Sequence, residues 1–112
     1  MAARPKVDVA AAAWEELKLG NVYECSIRDP EDREQVHGVQ VGTRVYVDPR
    51  LGTIDTLCHE LLHRRFPRWG ERRVRLETLR LIKRMTDADK RRWWRAYQRV
   101  KRASRPLDVE DE

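Results

Sequence analysis

The spacing of apolar residues changes twice along the chain, from helical to alternating and back to helical. Asp8 can cap a first helix over residues 9–19, and Gly20 suits the left-handed position that follows a helix. Residues 21–47 are then rich in Val, Ile and Tyr, and turn residues interrupt them twice. This pattern predicts three short strands, which cover residues 21–27, 36–41 and 44–47.

The second half of the chain has apolar residues at every third or fourth position, which is the helical period. Thr53 can cap the first of these helices and Pro67 ends it, while Thr86 and Asp89 have the spacing of a capping box. Three helices are predicted, over residues 54–65, 70–85 and 87–102. The whole pattern predicts an α+β domain in which a short, mostly antiparallel three-stranded sheet packs on about four helices.

A chain of 112 residues suits one hydrophobic core. We expect a single domain over residues 1–105 and a flexible acidic tail over residues 106–112. No run approaches the ~18 apolar residues of a membrane span, and the N-terminus is too weakly apolar for a secretory signal. We therefore expect a cytoplasmic protein without membrane contact.

The chain has two cysteines, Cys25 and Cys58, which are too few for a disulfide framework. We therefore expect two reduced, packed thiols.

The segment from His59 to His63 reads His-Glu-Leu-Leu-His and lies on a predicted helix. Histidines four residues apart project from one face of a helix, close enough for both imidazoles to bind one ion. Neutral imidazole suits zinc, and Glu60 is displaced around the axis, where it can act as a general base on a water molecule. The apolar stripe of this helix lies on roughly the opposite side, so the histidines need a second surface to face.

Two histidines on an amphipathic helix can also be ordinary polar residues that share this spacing by chance. The His and Glu frequencies of the chain give on the order of 0.01 chance matches over its length. The motif also falls on a predicted helix, as metal binding requires. We therefore favour a zinc site in which His59 and His63 are ligands and Glu60 is the base.

A catalytic zinc ion usually has three protein ligands, so one more residue must join the two histidines. His37 is the remaining histidine, but no pattern supports it as a ligand. On the following helix, Glu71 lies within about 30° of the centre of the inward stripe, whereas Glu77 lies about 90° away. Glu71 is the predicted third ligand, although the helix dipole also favours a carboxylate in a first turn. Glu77 is expected to pair with Arg73 or Arg80.

These segments resemble the minimal gluzincin-type (HExxH) zinc metallopeptidases, especially the short predicted metallopeptidases of phages and bacteria. The resemblance covers about residues 36–85 and includes Tyr46-Val47-Asp48-Pro49, Asp55-Thr56-Leu57-Cys58-His59-Glu60-Leu61-Leu62-His63, Phe66-Pro67 and Glu71-Arg72-Arg73-Val74. In that family the helix after the motif supplies a glutamate ligand within a Glu-x-x-aliphatic pattern. The segment that begins at Glu71 matches this pattern.

The resemblance implies a small zincin-like α+β core in which a strand borders the cleft and can align an extended peptide. It also implies Zn²⁺ held by His59, His63 and Glu71, with Glu60 transferring the proton during peptide-bond hydrolysis. The chain lacks the third histidine that metzincin-like and SprT-like families have shortly after the motif. Candidates for stabilising the oxyanion are Tyr23, Tyr46 and His37. Packing is the expected role of each.

The last predicted helix combines basic and aromatic residues. Its basic residues are Lys90, Arg91, Arg92, Arg95, Arg99, Lys101 and Arg102. They surround Trp93, Trp94 and Tyr97, and this mixture could combine phosphate contacts with base stacking. However, Trp93, Tyr97 and Val100 have helical spacing and are expected to pack on the core, which leaves the arginines solvated or paired with the acidic tail. Three functions stay open: a zinc peptidase acting on peptide or protein substrates, a nucleic-acid-associated binding module, and a catalytically silent zincin-like domain. We favour the peptidase.

Overall fold

The computed structural model describes residues 7–28, 38–49 and 53–108. The helices in these ranges are α1 (Val9–Lys18), α2 (Thr53–Arg65), α3 (Glu71–Arg84) and α4 (Asp87–Val100). The strands are β1 (Val22–Glu24), β2 (Ile27–Arg28), β3 (Gly38–Val41), β4 (Arg44–Val47), β5 (Arg102–Ala103) and β6 (Leu107–Asp108). The predicted α+β class is confirmed, and each predicted helix is present within two residues of its expected ends.

Hydrogen bonds and backbone conformations of nearby residues set the ends of the helices. The carboxylate of Asp8 caps α1 by accepting a hydrogen bond from the Ala11 amide at 3.0 Å. Gly20 follows this helix with a φ of +79°, which is the left-handed conformation that glycine adopts without strain. At the start of α4, Thr86 and Asp89 form both hydrogen bonds of a capping box.

The main sheet has the strand order β3-β4-β1-β5, and only one of its three pairings is antiparallel. The prediction of three mostly antiparallel strands is therefore wrong. The β3–β4 hairpin is antiparallel and turns at Gly42, whose φ is +58°. However, β1 runs parallel to β4 and to β5. Parallel pairing needs a long connection between the strands, and the chain provides one in both cases. The sheet is mixed and has four strands.

The segment predicted as one strand over residues 21–27 divides in two. Its first part, β1, belongs to the main sheet, whereas β2 leaves it and pairs in parallel with β6. The buried carboxylate of Asp48 accepts a hydrogen bond from the Ile27 amide at 3.0 Å, which holds β2 beside the end of β4. The tail predicted to begin at residue 106 contributes β6 to this pair, and residues 109–112 lie outside the described ranges.

The core centres on α2, which packs on α1, α3 and the β3–β4 hairpin. Its fully buried residues are Leu57, Cys58, Leu61 and Leu62. Trp93 and Tyr97 bury the inner face of α4, as their spacing predicted. Cys58 and Cys25 are both buried and not joined to each other, so the expected packing of the two thiols is confirmed.

A buried ion pair joins α2 to its surroundings. Arg64 donates hydrogen bonds to the Glu16 carboxylate at 2.6 Å and to the Glu16 carbonyl at 2.8 Å. It also donates to the carbonyls of Gly20 at 2.8 Å and Thr43 at 3.0 Å. The C-terminal turn of α2 is therefore fastened to both α1 and the turn of the hairpin.

Among the helices described, none is long and apolar enough to cross a membrane.

Candidate metal centre

Helix α2 fixes the positions of the two predicted histidine ligands. Because its leucines are buried, the rotation of the helix about its axis is set, and His59 and His63 emerge together at the edge of the core. Their side chains are 24% and 22% exposed, and their Nε2 atoms lie 3.1 Å apart. The two imidazoles therefore lie close together at one point, as expected.

Helix α3 brings Glu71 to the same point. The chain leaves α2 through a tight turn in which the rings of Phe66 and Trp69 stack at a centroid distance of 4.0 Å. Glu71 is the first residue of α3, and its carboxylate spans the histidine pair. One oxygen lies 2.8 Å from Nε2 of His59, and the other lies 2.7 Å from Nε2 of His63.

With both imidazoles neutral and Glu71 ionised, these three contacts cannot all be hydrogen bonds. A neutral imidazole Nε2 carries either one proton or one lone pair. If both Nε2 atoms donate to the two oxygens of Glu71, the contact of 3.1 Å between the nitrogens brings two donors together and is not a hydrogen bond. If either Nε2 is instead an acceptor, its short contact with the Glu71 carboxylate joins two lone pairs. A cation removes the conflict, because both imidazoles and the carboxylate then direct lone pairs towards it.

The spacing of the donor atoms suits a small tetrahedral ion. Zinc bonds of about 2.0–2.1 Å in tetrahedral geometry separate neighbouring ligand atoms by roughly 3.3 Å. The contacts among the three side chains, 2.7 to 3.1 Å, are shorter than this by roughly 0.2 to 0.6 Å. Two nitrogens and a carboxylate are also a typical donor set for catalytic zinc. His59, His63 and Glu71 therefore fit zinc in both spacing and chemistry.

The charges at the site favour the same donor set. Burial lowers the pKa of His59 and outweighs the neighbouring Glu71 carboxylate, which raises it. Burial alone would raise the pKa of Glu71, but the charges and hydrogen bonds of both histidines have the larger combined effect, so the pKa is lowered. Near neutral pH the site presents a neutral His59 imidazole and an ionised Glu71, the forms that bind zinc.

Glu60 lies on the inner side of the centre. Its side chain is buried, and a carboxylate oxygen lies within 4.8 Å of the nitrogens of His59 and His63. Burial, with a smaller contribution from the charge of Glu71, raises the pKa of Glu60 to about 7. Glu60 is thus close enough to be considered as a ligand itself. Glu71 has the shorter contacts to both imidazoles, which leaves Glu60 available for proton transfer.

Strand β3 passes directly over Glu60 at Gly38. A Cβ atom at Gly38 would lie 2.8 Å from Cγ of Glu60 and 2.6 Å from Cγ2 of Thr56. Such distances are far shorter than ordinary contacts, so a side chain at this position would have to displace Thr56 and Glu60 or shift the strand. The absence of a side chain at this position allows the edge of the sheet to approach the candidate centre.

A cleft of about 420 Å³ opens between β3, α2 and α3. Its walls include His59, Glu60 and Glu71 of the candidate centre. The remaining lining residues are Gly38, Asp55, Thr56, Arg75, Thr78, Leu79 and Ile82. The centre therefore faces a cavity large enough for a short segment of substrate, with an apolar wall on α3.

Comparison of the chain with protein-family models, curated proteins and solved structures gives no match. Function is therefore inferred from the geometry of the cleft and from the chemistry of its side chains.

The other residues considered from the sequence lie elsewhere. Glu77 forms an ion pair with Arg80 at 3.2 Å, as its helical phase predicted. Tyr46 is buried and stacks on Tyr23 with a centroid distance of 5.4 Å, and neither ring lines the cleft. His37 lies outside the described residues. Packing is thus the observed role of both tyrosines.

Two features of the cleft were missed from the sequence. Gly38 is a glycine within a predicted strand, a known sign of close backbone approach, and this signal was available. Arg75 lies one helical turn after Glu71, with its guanidinium 3.8 Å from that carboxylate. The two residues are four apart in the sequence, so they lie on one side of α3. This spacing was sufficient to predict that the positively charged Arg75 lies beside Glu71.

Proposed function

We propose that the protein is a zinc-dependent peptidase with a zincin-like core, in which His59, His63 and Glu71 hold the metal and Glu60 transfers protons. The observation that carries this proposal is a set of three contacts of 2.7 to 3.1 Å, which join the two imidazole nitrogens to each other and each of them to one oxygen of Glu71. The motif and its resemblance to gluzincin-type peptidases support zinc as the metal and a peptide bond as the target.

Zinc bound at this centre supplies Lewis acidity towards the scissile carbonyl and towards water. Glu60 provides the proton transfers that hydrolysis also needs. Its buried carboxylate has a pKa of about 7, so near neutral pH it can both accept and release a proton. It accepts a proton from the attacking water on a carboxylate oxygen and then delivers that proton to the nitrogen of the departing amine.

The position of β3 suggests how a peptide is aligned. Among the described strands, β3 is at the edge of the main sheet, and its Gly38 lines the cleft. An extended peptide can hydrogen-bond to the free main-chain groups of such an edge strand. The scissile bond would then pass between β3 and the candidate metal centre. Leu79 and Ile82 offer apolar contacts to the substrate side chains on the opposite wall.

Hydrolysis of a quenched-fluorescent peptide library tests the proposal. The wild-type protein should cleave peptides in a reaction that a chelator stops and added zinc restores. Glu60→Gln should bind zinc as the wild type does but lose hydrolysis, whereas His59→Ala should lose both. Glu77→Gln is a matched control on α3, because Glu77 pairs with Arg80 outside the cleft, and it should retain both. Cleavage that survives in Glu60→Gln would contradict the assigned role of Glu60.

A further inference from the structure

Helix α4 has a basic face that the proposed peptidase does not use. Trp93 and Tyr97 are buried on its inner side, whereas Trp94 is 45% exposed on the outer side. The exposed basic residues of α4 are Lys90, Arg91, Arg92, Arg95 and Arg99. We call these five residues and Trp94 the α4 face. Packing therefore accounts for two of the aromatic residues of this helix and leaves the third in contact with solvent.

Two grooves border the α4 face. One has a volume of about 450 Å³ and is lined by Ile54, Lys90, Arg91, Trp94 and Arg95. The other lies between α1 and α4, has a volume of about 470 Å³, and includes Trp14, Lys18, Arg92, Arg95 and Arg99. Because Arg95 borders both grooves, they form one continuous basic surface. None of the residues that line the cleft beside the candidate metal centre belongs to this basic surface.

The arginines of this surface are available to an anionic partner. Among the described residues, no ion pair involves Arg91, Arg95 or Arg99. These three are spaced four residues apart, so their side chains form a row with steps of about 6 Å along the helix. The acidic residues of α4, Asp87 and Asp89, are both confined to its first turn.

Aromatic rings accompany the cations in both grooves. Arg92 lies over the ring of Trp14 at 4.1 Å from its centroid, and Lys18 approaches the same ring at 5.7 Å. Trp94 borders the first groove between Arg91 and Arg95. Among the residues of α4, Trp94 is the large apolar side chain that remains exposed. One exposed ring within a row of arginines is too little apolar surface for membrane insertion, which needs a broad apolar face.

We propose that the α4 face binds single-stranded nucleic acid, with its arginines on the phosphates and Trp94 stacked on a base. The guanidinium group pairs with phosphate through two parallel hydrogen bonds, which favours arginine over lysine for this contact. An exposed tryptophan can stack only on a base that is free of its own neighbours, which favours a single strand over a duplex. This site is separate from the metal centre and does not depend on the proposed peptidase.

Fluorescence anisotropy with the full chain and an oligothymidylate of about 15 nucleotides tests the proposal. Binding should be tighter than to the same strand annealed to its complement, and log Kd should rise linearly with log salt concentration. Arg91→Gln/Arg95→Gln should reduce the slope by about 1.4, since each lost phosphate contact contributes about 0.7 on single strands. Trp94→Ala should weaken binding about tenfold or more without changing the slope.

The control is Arg68→Gln/Lys83→Gln, which removes the same charge from exposed positions outside α4. It should leave the slope unchanged, and circular dichroism should show that every variant is folded. An equal loss of slope in this control would overturn the proposal, because net charge alone would then explain binding. Retention on vesicles of anionic phospholipid without oligonucleotide binding would overturn it in favour of a membrane partner, and the absence of any wild-type binding at low salt would overturn it outright.

Discussion

At the scale of residues, the two glutamates of the cleft have opposite environments. Glu60 is 6% exposed, and its pKa is raised to about 7, mainly by burial. The side chain of Glu71 is 55% exposed, and two histidines lower its pKa. One carboxylate is therefore suited to exchanging protons near neutral pH and the other to remaining an anion. Such a division of roles between two acids is common in catalytic sites.

Removal of the Glu71 charge should weaken zinc binding more than any other single change on α3. We expect Glu71→Gln to raise the Kd for zinc more than about 100-fold, because even residues behind a ligand contribute 10- to 100-fold. Glu77→Gln, two turns further along α3, should leave the Kd unchanged. Competition with a chromophoric chelator measures both values. Equal Kd values for the two variants would exclude Glu71 as a ligand.

The raised pKa of Glu60 also predicts how stability depends on pH in the metal-free protein. The carboxyl group has a pKa of about 7 in the fold against 4.5 as its model value, so the unfolded chain ionises more readily. Glu60→Gln should thus raise the free energy of unfolding near pH 8, by at most about 3 kcal/mol. The gain should shrink as the pH falls through 7 towards 4.5. Urea denaturation in the presence of a chelator measures this difference, and a gain that does not vary with pH would contradict the prediction.

At the scale of elements, local signals predicted the helices but not the sheet. Asp8, Gly20 and the Thr86–Asp89 capping box act within a few residues of the helix ends that they set. The parallel pairing of β1 with β4 and β5 joins segments far apart in sequence. Strands of two or three residues also carry too little alternation to show which neighbour they have. The sheet order depends on tertiary contacts that no short window contains.

The same distinction applies to the candidate site. The spacing of His59, Glu60 and His63 is local, and the phase of Glu71 follows from the apolar stripe of its own helix. The structure places His59, Glu60 and Glu71 in the wall of one cleft, and Nε2 of His63 lies 3.1 Å from Nε2 of His59. The role of Gly38 could not be predicted in this way. It depends on where β3 crosses α2, and the residue pattern within one element does not show where it crosses another.

The crossing of β3 over α2 predicts a steric conflict at Gly38. Gly38→Ala should lower the free energy of unfolding by about 1–3 kcal/mol, since its Cβ would lie 2.6 Å from Cγ2 of Thr56. Thr56→Ser removes that methyl group, so the double variant should recover part of the loss. A double-mutant cycle by urea denaturation measures the coupling between the two positions. Additive effects would show that the two residues are not in close contact.

At the scale of the whole molecule, the ion pair between Arg64 and Glu16 holds the candidate centre in place. Both side chains are less than one tenth exposed, and the pair links α2 to α1 immediately after His63. Arg64 also donates hydrogen bonds to the carbonyl of Gly20, which follows α1, and to that of Thr43 in the turn of the hairpin. Arg64 therefore links the helix that carries His59 and His63 to α1 and to the turn of the β3–β4 hairpin.

Loss of one partner should therefore destabilise the entire fold. Arg64→Met should lower the free energy of unfolding by about 3–5 kcal/mol, because it leaves the Glu16 carboxylate buried without a cation. The double variant Arg64→Met/Glu16→Leu should recover much of this loss, since no buried charge then remains. Urea denaturation of the three proteins measures both effects. A double variant that is less stable than Arg64→Met would show that the pair is not the main cause.

Elemental analysis of protein purified without added metal tests most directly whether His59, His63 and Glu71 bind one zinc ion. We predict about one zinc ion per wild-type chain and almost none in His59→Ala. Wild-type protein that is folded but free of zinc, and that takes up none when zinc is supplied, would contradict the metal centre and the peptidase together.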